Sequence, residues 1–361
     1  MSLSLSLPVL VAAALFIGVL AYGVLGGADF GSGFYDLTAG GDRRGAELRT
    51  QVDHSIGPVW EANHVWLIFV LVVWWTAFPM AFASAMDTLV LPMLLALLGI
   101  VLRGAAFAFR KYAVDLRQAR LFGVVFGASS VITPFFLGAV AGAIASGRVP
   151  YGERGDRWGS WLNATSLVGG TIAVGTCAFL AGVFLTADAA RGGRVRLAAA
   201  LRRRTLAVGV VTGAVVFAGL LPLRADAPTL WSGLTGRALP LVVLAAVAGV
   251  LTLALVARGR FAAARLPAVV AVAAVLSGWG VGQYPWLLVD HVTIDGAAGA
   301  TATLQALLVA LALAMVLVLP ALVMLFRLAQ SEAAHDATAS SAGPAGQAVA
   351  ASASARRTDS A

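Results

Sequence analysis

The sequence predicts an all-α polytopic membrane protein of about nine transmembrane helices, and three observations support this fold class. Hydrophobic residues make up 60% of the 361 residues. Charged residues make up only 12%, whereas a soluble domain carries about 25%. Apolar runs of about 20 residues recur along the chain, and a helix of that length crosses a hydrocarbon core of roughly 30 Å.

Hydropathy places these spans between loops that carry most of the charge. The predicted spans cover residues 7–36, 57–76, 79–102, 119–145, 162–187, 205–222, 239–257, 266–286 and 302–327. We expect span one to be irregular after Gly26, and a tight turn around Phe78-Pro79 to join spans two and three. This number of spans fits two four-helix bundles plus one peripheral helix.

The chain divides into two parts by composition. Residues 1–330 form the predicted transmembrane helical domain. Residues 331–361 are rich in Ala, Ser and Gly with scattered charge. Such a segment cannot bury a core, so we expect a disordered cytoplasmic tail.

The basic residues predict the orientation. Most of the 25 Lys and Arg residues lie in the loops after spans one, three, five and seven and in the C-terminal segment. Positively charged loops stay in the cytoplasm, so we expect the N-terminus outside and the C-terminus inside. The basic residues that give the net charge of +8 thus fix the orientation in the membrane and do not indicate a nucleic-acid partner.

Several site classes are excluded. One cysteine, Cys177, cannot form an intramolecular disulfide or a Cys-rich metal site. A b-type haem in a bundle needs two facing ligands, and of the four histidines only His64 falls within a predicted span. No P-loop, nucleophile elbow or dinucleotide fingerprint occurs in a suitable setting. We therefore expect no catalytic residue, no metal site and no ligated haem in this chain alone.

A glycine-rich segment at the end of span one carries the first candidate site. Glycines such as Gly31 and Gly33 weaken a helix but let another backbone approach closely, which favours a packing seam. Asp29 lies within this seam, and Asp36 follows seven residues later on a similar helical face. A carboxylate among packed helices needs a partner or water, so Asp29 is a candidate functional residue.

The start of span two carries the second candidate site, Trp60-Glu61-Ala62-Asn63-His64-Val65-Trp66. Glu61 falls in the first helical turn, where the helix dipole favours a carboxylate. His64 lies on the same helical face at i+3, so Glu61 and His64 could together bind and release a proton. Asn63 points toward a neighbouring helix. Two plainer interpretations stay open: Glu61 reaches interfacial water, and Trp60 and Trp66 form an interfacial aromatic belt.

Three charged residues mark span three. Asp87 lies eight residues into the span and has no local partner in the sequence, so we expect it at a subunit interface or a water-filled cavity. Arg103 and Arg110 follow at the cytoplasmic end, seven residues apart.

These segments resemble subunit II of the cytochrome bd-type quinol oxidases. Residues 29–33 are similar to the family's D-x-G-x-G end of span one. Residues 55–67 are similar to its S-I-x-P-x-W-[DE]-x-N-x-x-W-L block, and residues 103–110 to its R-G-x-A-F-E-F-R block. Four positions depart from the family pattern. The acid that usually precedes Asp29 is missing, Ala108 replaces a glutamate, Asp87 falls where the family usually has a neutral residue, and Val289 falls near an expected proline.

The resemblance implies a heterodimer in the bacterial cytoplasmic membrane. It implies that a partner, subunit I, holds haem b, haem d and the quinol site, and that this chain ligates no haem, supports assembly and contributes a proton and water path from the cytoplasm. It assigns Glu61 and Asp29 to that path, and Trp60, Asn63 and Trp66 to its entrance. Small single-helix accessory subunits, membrane lipids and quinone are further expected partners.

The sequence therefore predicts subunit II of an oxidase that oxidises quinol and reduces oxygen to water. Glu61, Asp29 and His64 are the predicted proton pathway, and Gly31, Gly33, Arg103 and Arg110 are predicted to pack or shape its entrance. One alternative is a stand-alone transporter in which Asp29, Glu61 and Asp87 couple protons or cations. A third interpretation is a purely structural subunit whose acids have no role in turnover.

Overall fold

The structure is a computed structural model that describes residues 6–56, 60–110, 112, 115–317, 320, 321 and 324. Within these ranges, the side chains of residues 42–44, 54, 56, 60–62 and 116 are not described. The predicted tail, 331–361, and the end of the ninth predicted span lie outside the described residues.

The described chain is built almost entirely from helices. In chain order these are α1 (Leu7–Ala21), α2 (Gly27–Leu37), α3 (Asp42–Ile56), α4 (Trp60–Ala77), α5 (Pro79–Thr88), α6 (Val90–Arg110), α7 (Leu116–Ala145), α8 (Ala164–Arg191), α9 (Val195–Ala218), α10 (Leu220–Asp226), α11 (Pro228–Thr235), α12 (Leu239–Ala257), α13 (Phe261–Gln283) and α14 (Thr301–Leu317). A π-helical turn, Tyr22–Gly26, joins α1 to α2. An antiparallel pair, β1 (Trp286–Leu288) and β2 (Val292–Thr293), precedes α14.

The helix lengths confirm the all-α polytopic membrane fold. Seven helical segments in the described ranges are long and apolar enough to cross a membrane, or eight if α4 and α5 form one broken span. The exact count of nine is not confirmed, and the arrangement as two bundles plus one helix stays a prediction. The irregular part of span one is the π-helical turn, which ends at Gly26 instead of beginning after it.

The predicted third span, 79–102, is wrong in its first half. The chain bends by 118° between α4 and α5, and α5 ends at Thr88 before α6 begins at Val90. Helix α5 carries polar side chains that face the loop after α7. Ser84 Oγ accepts a hydrogen bond from Gly152 N at 2.9 Å, and Thr88 Oγ1 accepts one from Gly155 N at 3.1 Å. These two bonds tie α5 to that loop.

Polar caps set the ends of several helices. Asp115 accepts a hydrogen bond from Gln118 N at 2.7 Å at the start of α7, and Asn163 accepts one from Ser166 N at 3.0 Å at the start of α8. Such caps satisfy backbone donors that the first helical turn leaves free. Gly193 has a φ of +69°, which lets the chain reverse sharply between α8 and α9.

Residues Met1–Leu308 form one compact unit, whose core positions the candidate site. Buried side chains from α2, α3, α6, α7, α8 and α9 form one hydrophobic cluster that includes Tyr35, Val52, Phe107, Phe126 and Leu185. Helix α2 packs against both α7 and α8. The second unit begins at Val309, and its described residues belong to the end of α14 and to positions 320, 321 and 324.

Candidate functional site

A buried ion pair between Asp29 of α2 and Arg103 of α6 lies at the centre of the candidate site. Arg103 Nη2 is 2.5 Å from Asp29 Oδ1, and the exposed fractions of the two side chains are 1% and 3%. Removing charges from water costs several kcal/mol per ion, so a buried pair is weak evidence for stability alone. Ionisable groups inside a membrane-spanning segment are functional candidates by default.

Helix α7 holds the arginine in place. Arg103 Nε donates a hydrogen bond to Ser130 Oγ at 3.1 Å, and the Ser130 hydroxyl donates one to Phe126 O at 2.7 Å. The guanidinium carbon lies 5.0 Å from the centre of the Phe30 ring and 5.1 Å from that of Phe126. These distances allow cation–π attraction from both rings. The arginine is therefore fixed in one orientation toward the carboxylate.

The glycines of α2 bring this helix close to its neighbours. A Cβ atom added at Gly31 would overlap the backbone carbonyl of Cys177 on α8, and one added at Gly33 would overlap the Ser130 side chain on α7. Larger residues at either position would push α2 outward. The close packing therefore sets the distance over which Asp29 reaches Arg103.

Helix α4 adds an amide and an imidazole to the same place. The Asn63 side chain is buried and neighbours the Asp29 carboxylate, and the His64 imidazole is near enough to interact with that charge. The His64 ring packs edge-on against Tyr22 at 6.2 Å and Phe30 at 6.0 Å between ring centres. The predicted pathway residues Asp29 and His64 thus lie together.

Two buried oxygen atoms here lack a well-aligned hydrogen-bond donor or acceptor among the described residues. They are Asp29 Oδ2 and Tyr22 Oη. Buried polar atoms without a protein partner are ordinarily satisfied by water. The site brings together a carboxylate, an amide and an imidazole, which are groups that proton transfer uses.

A second ion pair repeats the first one seven residues further along both helices. Arg110 Nη1 of α6 donates to Asp36 Oδ2 of α2 at 2.9 Å, and the Asp36 side chain is 1% exposed. Because both partners advance by seven residues, α2 and α6 run in the same direction. Seven residues of helix rise about 10.5 Å. The two pairs therefore form successive rungs between the same helices.

Three further predicted site residues lie in α4. The side chains of Trp60 and Glu61 are outside the described ones. The half-buried Trp66 ring lies 6.0 Å from that of Phe69, so it contacts its own helix.

Asp87 has partners that the local sequence did not show. It lies near the end of α5, and Arg154 Nε donates to its Oδ2 at 2.7 Å. Arg157 lies 4.0 Å away, and the Asp87 side chain is 42% exposed. The hydrogen bond to this carboxylate raises the pKa of Arg154 above its usual value. An interface role for Asp87 stays a prediction, but it is not an isolated buried charge.

Sequence reasoning missed the residues that surround the arginine. Ser130 is one of several hydroxyl residues in an apolar span, and its neighbour Ser129 looks equivalent in sequence. Phe30, Phe126 and Tyr22 look like ordinary hydrophobic residues. The pair of serines beside Thr133 was the only available signal, because small polar residues in a span often face another helix.

The fold and the buried polar centre define a polytopic helical membrane protein with a buried ion pair. The family model for cytochrome bd terminal oxidase subunit II matches residues 7–329, so the chain belongs to that family. Among curated relatives, the Bacillus subtilis cytochrome bd ubiquinol oxidase subunit 2 is 34% identical over 128 residues, covering 36% of this chain and 36% of the relative. The Escherichia coli cytochrome bd-I ubiquinol oxidase subunit 2 is 31% identical over 141 residues, covering 38% and 36%.

A solved structure shares the fold over a longer range. A chain of the bd oxidase from Geobacillus thermodenitrificans matches with a TM-score of 0.75 and 24% sequence identity. The match covers 89% of this chain and 98% of that one. The alignments to the curated relatives each span only 36% of the relative's length. The family resemblance seen in the sequence is confirmed.

Proposed function

We propose that this chain is subunit II of a quinol-oxidising, oxygen-reducing cytochrome bd-type oxidase, and that it supports assembly and carries protons toward the oxygen-reducing haem. The observation that carries the proposal is the buried Asp29–Arg103 pair, with Asn63 and His64 of the family-like block beside it. The family match over residues 7–329 supports the choice of complex.

Within this proposal, Glu61 receives protons near the cytoplasm, and His64 and Asp29 relay them. Arg103 orients the Asp29 carboxylate and offsets part of the cost of burying its charge. Ser130 holds the arginine, and Gly31 and Gly33 set the spacing of the helices. No residue of this chain needs to act on quinol or oxygen.

The partner in this proposal is a haem-bearing subunit I, which supplies haem b, haem d and the quinol site. Two described histidines have protein neighbours, which supports placing the haems in the partner. His64 packs against Tyr22 and Phe30, and His291 Nε2 lies 3.0 Å from Gly147 O. We place membrane lipids, quinone and small single-helix accessory subunits among the further partners.

The proposed location is the bacterial cytoplasmic membrane, with the N-terminus outside, the C-terminus inside and residues 331–361 as a cytoplasmic tail. The parallel direction of α2 and α6, which is evident from the two ion-pair rungs, supports the assignment of the loops after both helices to one side. Those loops carry the basic residues that the positive-inside rule keeps in the cytoplasm.

Family membership favours the oxidase over a stand-alone transporter. The two proposals differ in composition, and this difference can be measured. We would purify the tagged chain from its native membrane in mild detergent, identify co-purifying chains by mass and record a reduced-minus-oxidised spectrum. Haem b and d bands with a second large membrane subunit are expected. A haem-free chain without a partner, from cells that make the oxidase, would contradict the proposal.

A further inference from the structure

A group of four charged side chains outside the Asp29 site joins three helices. Asp36 of α2 is 1% exposed and lies between two arginines: Arg110 Nη1 at 2.9 Å and Arg49 Nε at 3.2 Å. Arg110 Nη1 is also 3.7 Å from Asp53 Oδ1. Arg49 and Asp53 both belong to α3, four residues apart, so they share a face. Two cations and two carboxylates therefore balance each other where α2, α3 and α6 meet.

Helix α3 is held on a second side by apolar contacts. Leu48 is 5% exposed and Val52 is 0% exposed, and both belong to the core cluster that includes Tyr35 and Phe107. Arg49 Nη2 also donates to Gly40 O at 2.6 Å, which ties α3 to the loop that precedes it. The position of α3 is thus fixed jointly by a small apolar face and by charges.

Helix α3 is connected to the candidate site through a short link to α4. Helix α3 ends at Ile56 and α4 begins at Trp60, so the two helices are close neighbours in the chain. The first turns of α4 carry Asn63 and His64, the two groups that lie beside Asp29. Asp36 lies on the same helix as Asp29, two turns away. The position of α3 therefore bears on the geometry around Asp29.

We propose that Asp36, Arg49, Asp53 and Arg110 form a latch that positions α3 and, through it, the first turns of α4. The latch keeps Asn63 and His64 beside Asp29. These four are positioning residues, since none of them touches a reacting group. The effect of the latch on turnover rests on the proposed function, but its effect on α3 does not.

The test uses the purified complex carrying Val52→Cys as a reporter on the buried face of α3. The native Cys177 is buried. Its reaction with a maleimide is measured in the parent complex and subtracted as background. Asp36→Asn and Arg49→Gln should each speed labelling of the reporter by about tenfold, since local opening exposes it. Both should lower kcat for oxygen uptake and leave KM for quinol unchanged. Arg49→Lys, which keeps the cation, should retain slow labelling and parental kcat.

Asp188→Asn is the matched control, because Asp188 also pairs with two arginines, Arg191 and Arg265, at the end of another helix. It should change neither labelling nor kcat. Unchanged labelling in both Asp36→Asn and Arg49→Gln, in complexes with the parental haem spectrum, would overturn the latch. Faster labelling with unchanged kcat would overturn its positioning role. If Asp36→Asn does not assemble, the comparison of Arg49→Gln with Arg49→Lys provides the test, because Arg49 is only half-buried. The labelling result stands whether or not Glu61 takes part in turnover.

Discussion

Removal of the Arg103 cation tests the central ion pair most sharply. Arg103→Met keeps a long flexible side chain but leaves Asp29, 3% exposed, without its cation. Removing one partner of a buried pair costs roughly 3–5 kcal/mol. The insertion cost of a lone carboxylate in a span is independently about 2.5–3.5 kcal/mol. Both values agree near 3 kcal/mol, which corresponds to about a hundredfold change in the equilibrium constant for unfolding.

The assay is heat inactivation of the purified complex, followed by the haem absorbance that remains in the intact size-exclusion peak. Arg103→Met should lose the intact complex at clearly lower temperature than the parent. Asp29→Leu combined with Arg103→Met removes both charges and should recover to within about 1 kcal/mol of the parent, yet turn over slowly. Asp188→Asn removes a carboxylate that is 30% exposed, so it should lower the stability of the complex by at most about 1 kcal/mol. If Arg103→Met is as heat-stable as the parent, the account of the ion pair is wrong. It is also wrong if the double variant is no more heat-stable than Arg103→Met alone.

Two further substitutions test the packing and the surface pair. Gly31→Ala should lower the yield of assembled complex, because its Cβ would overlap the Cys177 carbonyl, whereas Gly213→Ala meets nothing within 4 Å and should be neutral or slightly stabilising. Equal yields from the two, measured by quantitative size exclusion, would contradict the proposed close packing of α2 on α8. Asp87→Asn should leave heat stability and oxygen uptake near parental values, since this carboxylate and Arg154 are largely exposed. Loss of the partner subunit on purification would instead place Asp87 at the interface.

The Asp29–Arg103 pair shows how far the sequence leads. Both residues stand out in sequence because charges are rare in or beside apolar spans. Their pairing could not be predicted, because 74 residues separate them and the contact depends on how α7 packs between their helices. The repeated seven-residue spacing of Asp36 and Arg110 was visible in the sequence, but only the structure shows that it produces a second rung.

The break between α5 and α6 shows the limit of hydropathy. Residues 79–102 are apolar enough to suggest one continuous span. Pro92, four residues after Thr88, lacks the N–H that would bond to the Thr88 carbonyl, so the sequence does contain a local reason for the helix to end there. A hydropathy window scores this proline as one residue in an apolar run and does not register the break.

The proposed proton path is best tested by the oxygen-uptake rate of the complex carrying Glu61→Gln, normalised to haem content. Glutamine keeps the size and hydrogen bonding of the side chain but cannot carry the proton. We expect normal assembly, a parental haem spectrum and a clearly slower rate. A parental rate with a parental spectrum would contradict the proposed path and would remove Glu61 from the mechanism.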